Sequence, residues 1–225
     1  MTDFGAFIYT TFQRIILPAP EKKVRKTAGD RVQRQVIAMQ KEKKAFNPYL
    51  ISSLAIMAAI IYVVTLFRFP FLGSKVHFAN SMCLVAGLLF GPVYGGVAAG
   101  LGSALYDAFA GGYDFINVLI TFVSKFAMAY VCGLIVKKAD KASVARVVVA
   151  CIAGALTYVA LYMLKTFIYQ AFVYGYPMDA VWATVVSKLI PSLINALVAV
   201  ISAPIFYHAV LPAMKHTGIL SKVAA

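Results

Sequence analysis

Two carboxylates, Asp107 and Asp114, stand seven residues apart across a Gly111-Gly112 break, and three lysines, Lys125, Lys165 and Lys188, each lie inside a long apolar run. An ionisable group at membrane depth is costly unless it faces protein or water. Two arrangements meet that demand: lysine–carboxylate pairs inside the protein, or a polar pocket open on one side. Around these charges the sequence collects Asn80, Tyr113, Asn117, Tyr162, Tyr169 and Asn195, with His77 and Asp114 at the span ends. Hydrogen-bonding aromatics with a few charges suit a small, flat, polar ligand. Acid–base catalysis would need a histidine or paired carboxylates at such a pocket. His77 lies at a span entrance, His208 and His216 lie near the opposite end, and HExxH and GxSxG are absent from the sequence. The chain is read as a non-enzyme.

The elements that must hold these residues are membrane helices. Of 225 residues, 62% are hydrophobic and 13% charged, more apolar material than a soluble domain of this length buries. The 21 Lys and Arg against 8 Asp and Glu would point to nucleic acid in a soluble protein. Ten of them precede residue 45, ahead of the first apolar run, which fits cytoplasmic anchoring of a membrane protein instead. Cys83, Cys132 and Cys151 are far apart, all in apolar runs, and read as small buried hydrophobes; no metal site or cofactor is expected. Asp3 and Arg14 interrupt the N-terminal apolar residues and no small-residue cleavage site follows, so no cleaved secretory signal is expected.

Hydropathy predicts six spans, at about Tyr49–Phe67, His77–Phe90, Val93–Ala110, Phe115–Val136, Ala145–Phe172 and Val181–Leu211. The second and third are short, as expected of irregular helices around a cavity. Lys137, Lys138, Lys141, Arg146, Lys215 and Lys222 join the N-terminal arm on one side, against Arg68 and Lys75 on the other. Both termini are therefore expected in the cytoplasm. The fold class is all-α: an integral membrane six-helix bundle with a basic N-terminal arm. Residues 1–45 form that arm, 46–212 the transmembrane substrate-binding domain and 213–225 a cytoplasmic tail. The arm reads as an orientation signal, with contact to anionic lipid as its other use. Tyr174, Tyr176 and Trp182 read as an interfacial belt.

The stretch "GLLFGPVYGGVAAGLGSALYDAFAGGYD", residues 87–114, is dense in glycine. Gly87, Gly91 and Gly95, and again Gly96 and Gly100, stand four apart, the spacing that lets membrane helices approach closely. Gly91, Pro92, Gly95 and Gly96 suit a sharp turn between the second and third spans.

The join of "LLFGPVYGG", "GxGSALYD" ending in Asp107 and a lysine in the next helix, Lys125, resembles the substrate-binding S components of energy-coupling factor (ECF) transporters, in the riboflavin-type branch. The resemblance covers roughly residues 46–212. It implies a six-helix bundle that captures a micronutrient outside, topples when it docks on a transmembrane coupling subunit driven by two ATPases, and releases the ligand inside. The substrate-binding residues it implies, joined to the polar set above, are Asn80, Asp107, Tyr113, Asn117, Lys125, Tyr162, Lys165, Tyr169, Lys188 and Asn195. Ala55 and Ala59 in "LAIMAAI" are the implied docking pair, and "RFPFLGSKV" the lid. The partners are a vitamin, the coupling subunit, two ATPases and membrane lipid, with no nucleic acid, and the setting is a bacterial-type plasma membrane. The sequence has no GxxxxGK[ST] phosphate loop, so ATP hydrolysis would fall to partners. "KLIPSLINA" loosely resembles the proline-asparagine-lysine region of riboflavin-binding members, although Lys188 here precedes Pro191 and Asn195. Riboflavin is the favoured ligand; pyridoxine, the pyrimidine precursor of thiamine and a queuosine precursor are alternatives. The rival class is a stand-alone ion-coupled secondary transporter, against which stands the lack of an evident inverted repeat.

Overall fold

The computed structural model describes residues 47–71, 74–136 and 142–218; the basic arm lies outside the described residues, as do residues 137–141 and the last residues of the tail. Helix α1 (Pro48–Leu66) starts where Asn47 Oδ1 accepts from the Tyr49 N–H at 3.0 Å, with Pro48 at a first-turn position where its missing N–H costs nothing. Its buried residues Met57, Ala58, Ile61 and Thr65 form one stripe, while Ala55, Ile56, Ala59, Ile60 and Val63 are exposed. An apolar stripe left uncovered suits lipid or another membrane helix.

After α1 the chain forms a short antiparallel hairpin of β1 (Phe69–Phe71) and β2 (Ser74–Val76), pairing Phe69 with Val76 and Pro70 with Lys75. Hydropathy treated this stretch as a loop, because three-residue strands carry too little alternation to register. β2 runs beside the last helix.

Helix α2 (Ala79–Phe109) contains a break. Gly91 has φ 78° and ψ −174°, a conformation that side-chain-bearing residues rarely adopt, and Pro92 follows it. The arms 79–90 and 92–109 fold back alongside each other, placing Cys83 Sγ 3.7 Å from Ser103 Oγ. Close approach of the arms leaves no room for a side chain at Gly95, where a Cβ would strike the Ala86 carbonyl.

Helix α3 (Phe115–Val136) packs along α2 by a glycine–aromatic fit. A Cβ at Gly96 would lie 2.8 Å from Phe126 Cδ2, and one at Gly100 2.8 Å from Phe122 Cδ2. Phe122, Phe126 and Tyr130 form a stacked ladder four residues apart. The predicted role of the glycines in packing thus has named partners.

Helix α4 (Val144–Ile168), capped by Ser143 Oγ on the Arg146 N–H at 3.4 Å, widens at its end into a π turn, Tyr169–Val173. Helix α5 (Met178–His216) carries Pro191, Pro204 and Pro212 and extends beyond the predicted span at both ends. Among the described residues, five helices are long and apolar enough to cross a membrane: α1, α2, α3, α4 with its π turn, and α5. The core, centred on Leu84, Leu88, Met128, Val147 and Tyr207, includes all three cysteines as free thiols.

Candidate functional site

At the hairpin end of the bundle lies a cavity of about 690 Å³, within the size range of small-molecule sites. Its lining includes all ten residues singled out from the sequence: Asn80, Asp107, Tyr113, Asn117, Lys125, Tyr162, Lys165, Tyr169, Lys188 and Asn195. Helix periodicity is what brings them together. On α4 and its π turn, Tyr158, Tyr162, Lys165 and Tyr169 follow at four, three and four residues and so share one face. On α5, Lys188, Ser192 and Asn195 do the same.

The floor is built around Lys125, which is only 4% exposed. Its Nζ donates to Asn80 Oδ1 and sits 3.7 Å from the centroid of the Tyr158 ring, a cation–π contact. The lysine is thus engaged by an amide and an aromatic face. A paired carboxylate, the arrangement left open by the sequence, is not what it meets here. Asn80 is 2% exposed and Asn195 7%. Asn195 Oδ1 accepts from the His77 backbone N–H at 3.0 Å, which ties the end of the hairpin to α5.

One wall is aromatic. Tyr158 and Tyr162 lie 6.1 Å apart with ring planes 19° from parallel, and Lys165 Nζ is 5.5 Å from the Tyr169 ring centroid. The neighbouring π turn adds Gln170 and Tyr174. Single π turns inside helices recur at functional sites. Tyr174, read from the sequence as part of an interfacial belt, borders the cavity and packs on Tyr169 and Tyr176. Trp182 packs on Phe167 and is 57% exposed, as a belt residue would be.

The mouth carries the acids. Asp107 is half-buried near the end of α2, and Asp114 is exposed just before α3. Asp114 accepts from the Asn117 side chain and from the Asn117 backbone N–H at 3.3 Å, capping α3. The Asn117 amide holds its carboxyl below the usual carboxylate range.

Residues the sequence reading left out of the site include Arg68, Tyr158, Ser103 and Ser192. Tyr158 was detectable, standing four residues before Tyr162. Arg68 entered the sequence reading only as part of the implied lid stretch: its guanidinium lies over the Tyr106 ring, 4.1 Å from the centroid, and bonds the Tyr106 hydroxyl, a contact between α1's exit and the far arm of α2. His77 is half-buried with its Nδ1 sealed from solvent and unpartnered. Burial, with Lys125 and Arg68 adding repulsion, pushes its pKa down to about 3, so the imidazole is neutral at physiological pH. Besides His77, the lining carries four basic side chains, Arg68, Lys125, Lys165 and Lys188, against two carboxylates. Among the described residues no group of three or more His, Cys, Asp or Glu is placed to hold a metal ion.

A family model described as "ECF-type riboflavin transporter, S component" matches residues 45–211, which include every described residue lining the cavity. The chain matches no curated protein.

Proposed function

Since the chain belongs to the family of ECF-type riboflavin transporter S components, a family of transporter subunits and not of enzymes, we propose that it is the substrate-capture subunit of an ATP-driven micronutrient importer in a bacterial-type plasma membrane. Riboflavin is the substrate we favour. The observation that carries this reading is the convergence of the ten polar and aromatic residues on one cavity, whose lining includes the near-parallel pair Tyr158 and Tyr162. A planar heteroaromatic ring stacks on such a pair, while a hydroxylated chain finds acceptors and donors in Asp107, Asp114 and Asn117.

In this reading the two arms of α2 cross the membrane separately, which makes six spans and leaves both termini on the cytoplasmic side, where Arg146 and Lys215 lie. The Gly91 break and the side-by-side arms support it. The hairpin is the lid, tethered at its feet by Arg68 on Tyr106 and by His77 on Asn195. Residues 46–212 are the binding domain, with the basic arm before it and a short tail after it. Ala55 and Ala59 are the docking face for the transmembrane coupling subunit, and two ATPase partners supply the energy. Both alanines are exposed, whereas Ala58 faces inward, close enough that its carbonyl would lie 2.5 Å from a Cβ on Gly102. Small exposed residues four apart let a partner helix approach closely.

The test is to purify the full chain in detergent from a rich-medium culture, denature it and identify any released small molecule by absorbance and mass spectrometry. Release of riboflavin is the expected result. Pyridoxine, the thiamine pyrimidine precursor or a queuosine precursor would keep the capture-subunit reading and replace the substrate. A preparation that is empty and also unmoved by a vitamin panel in thermal-shift assays, yet accumulates solute in vesicles on an ion gradient alone, would overturn it in favour of a secondary transporter.

A further inference from the structure

Among the charged side chains lining the cavity, Lys125 is the buried one, while Lys165, near the end of α4, acts on both carboxylates at the mouth. Both lining carboxylates stand at its mouth, Asp107 two residues before the end of α2 and Asp114 immediately before α3. Lys125 stands ten residues into α3, about 15 Å along the helix at 1.5 Å per residue. Its ammonium has three donors. One goes to Asn80 Oδ1, and the face of Tyr158 covers another side. An amide dipole and a π face compensate a buried cation only in part, and a low-dielectric floor makes the shortfall expensive. The remaining capacity borders the cavity.

We propose that Lys125 sets the direction in which the ligand enters, anchoring the most electron-rich edge of a flat heteroaromatic ring, an imide-type edge with a ring N–H between two carbonyls, at the cavity floor. This inference rests on the riboflavin reading, since riboflavin carries such an edge, and it adds orientation and a specificity-determining residue. The ring then lies beside the Tyr158–Tyr162 pair, whose ring planes are 19° from parallel. The hydroxylated chain points to the mouth, where the carboxylates accept its O–H groups. A ligand whose leading edge is cationic meets Lys125 head-on and is rejected, which is selection by repulsion as well as by attraction.

A cation close to the imide also makes that N–H easier to ionise, its proton passing to solvent. The experiment is therefore an absorbance titration of riboflavin bound to the full chain in detergent, beside free riboflavin, with binding measured for wild type and Lys125→Met. For wild type, the midpoint of imide deprotonation is expected to fall by about 1 to 3 pH units relative to free ligand. In Lys125→Met the shift is expected to vanish and the affinity to drop about 10- to 100-fold, as for loss of a charged hydrogen bond. Methionine is similar in length and carries no charge to bury, and the wild-type titration needs no variant. An unshifted wild-type midpoint overturns the inference whatever Lys125→Met does, and so does a shift that persists in Lys125→Met. A wild type that binds no riboflavin overturns the substrate reading, and the inference with it.

Discussion

His77 shows how little of a residue's chemistry its identity determines. Histidine ordinarily titrates near neutrality, yet here Nδ1 is sealed without a partner and two cations act on the ring, so it stays neutral down to about 3. In the unfolded chain the same imidazole takes up a proton below its ordinary value of 6.5. Between 6.5 and about 3 the unfolded state thus binds more protons, and stability falls as the pH drops through that window. The empty protein's apparent melting temperature is expected to decline from about pH 7.5 to about pH 5, and His77→Gln to flatten the decline. An equally steep decline in that variant would assign the loss to other groups. In the sequence His77 was only a polar residue at a span entrance; its low pKa arises first from burial and then from Lys125, 48 residues away along the chain, neither of which a hydropathy window contains.

At the level of elements, the α2–α3 pair separates two reasons for glycine that look alike in sequence. Gly100 is required by a neighbour: a Cβ there would lie 2.8 Å from Phe122 Cδ2 and 3.0 Å from the Phe122 carbonyl oxygen. Gly91 has nothing within 4 Å of its Cβ position but needs a positive φ. Gly100→Leu is expected to cost about 1 to 3 kcal/mol through overpacking, and Gly91→Ala about 1 to 3 kcal/mol through strain in a backbone region that only glycine readily adopts. Thermal unfolding of the empty protein in detergent checks both, at roughly 2 to 4 °C per kcal/mol for a chain of this size. A Gly100→Leu protein as stable as wild type would mean that the α2–α3 fit yields easily. The i, i+4 glycine spacing was plain in the sequence, as was the matching spacing of Phe122 and Phe126. Which ladder faced which groove depended on the register of two helices, and register is set by the whole packed interface.

For the whole molecule, binding and docking are expected to occupy different surfaces: a cavity at the hairpin end, and the exposed Ala55/Ala59 stripe of α1. Replacing Ala55 and Ala59 together with leucine is therefore expected to leave ligand affinity within about twofold, since the sites share no residue, while abolishing ATP-driven uptake in vesicles holding the full transporter. Normal uptake would remove the stripe from the docking face. The sequence by itself determined an all-helical chain with helices apolar enough to cross a membrane, the break at Gly91-Pro92 and ten residues that border one cavity. These are legible because helix periodicity and the cost of burying charge in lipid are local or compositional rules, written in residue type and spacing. Only the tertiary structure decided that Lys125 meets Asn80 and Tyr158, that Arg68 lies on Tyr106, and that His77 is tied to Asn195. Those contacts join residues 33 to 118 positions apart, and the physical reason is that helices 8 to 10 Å from one another at some packing angle select which side chains meet.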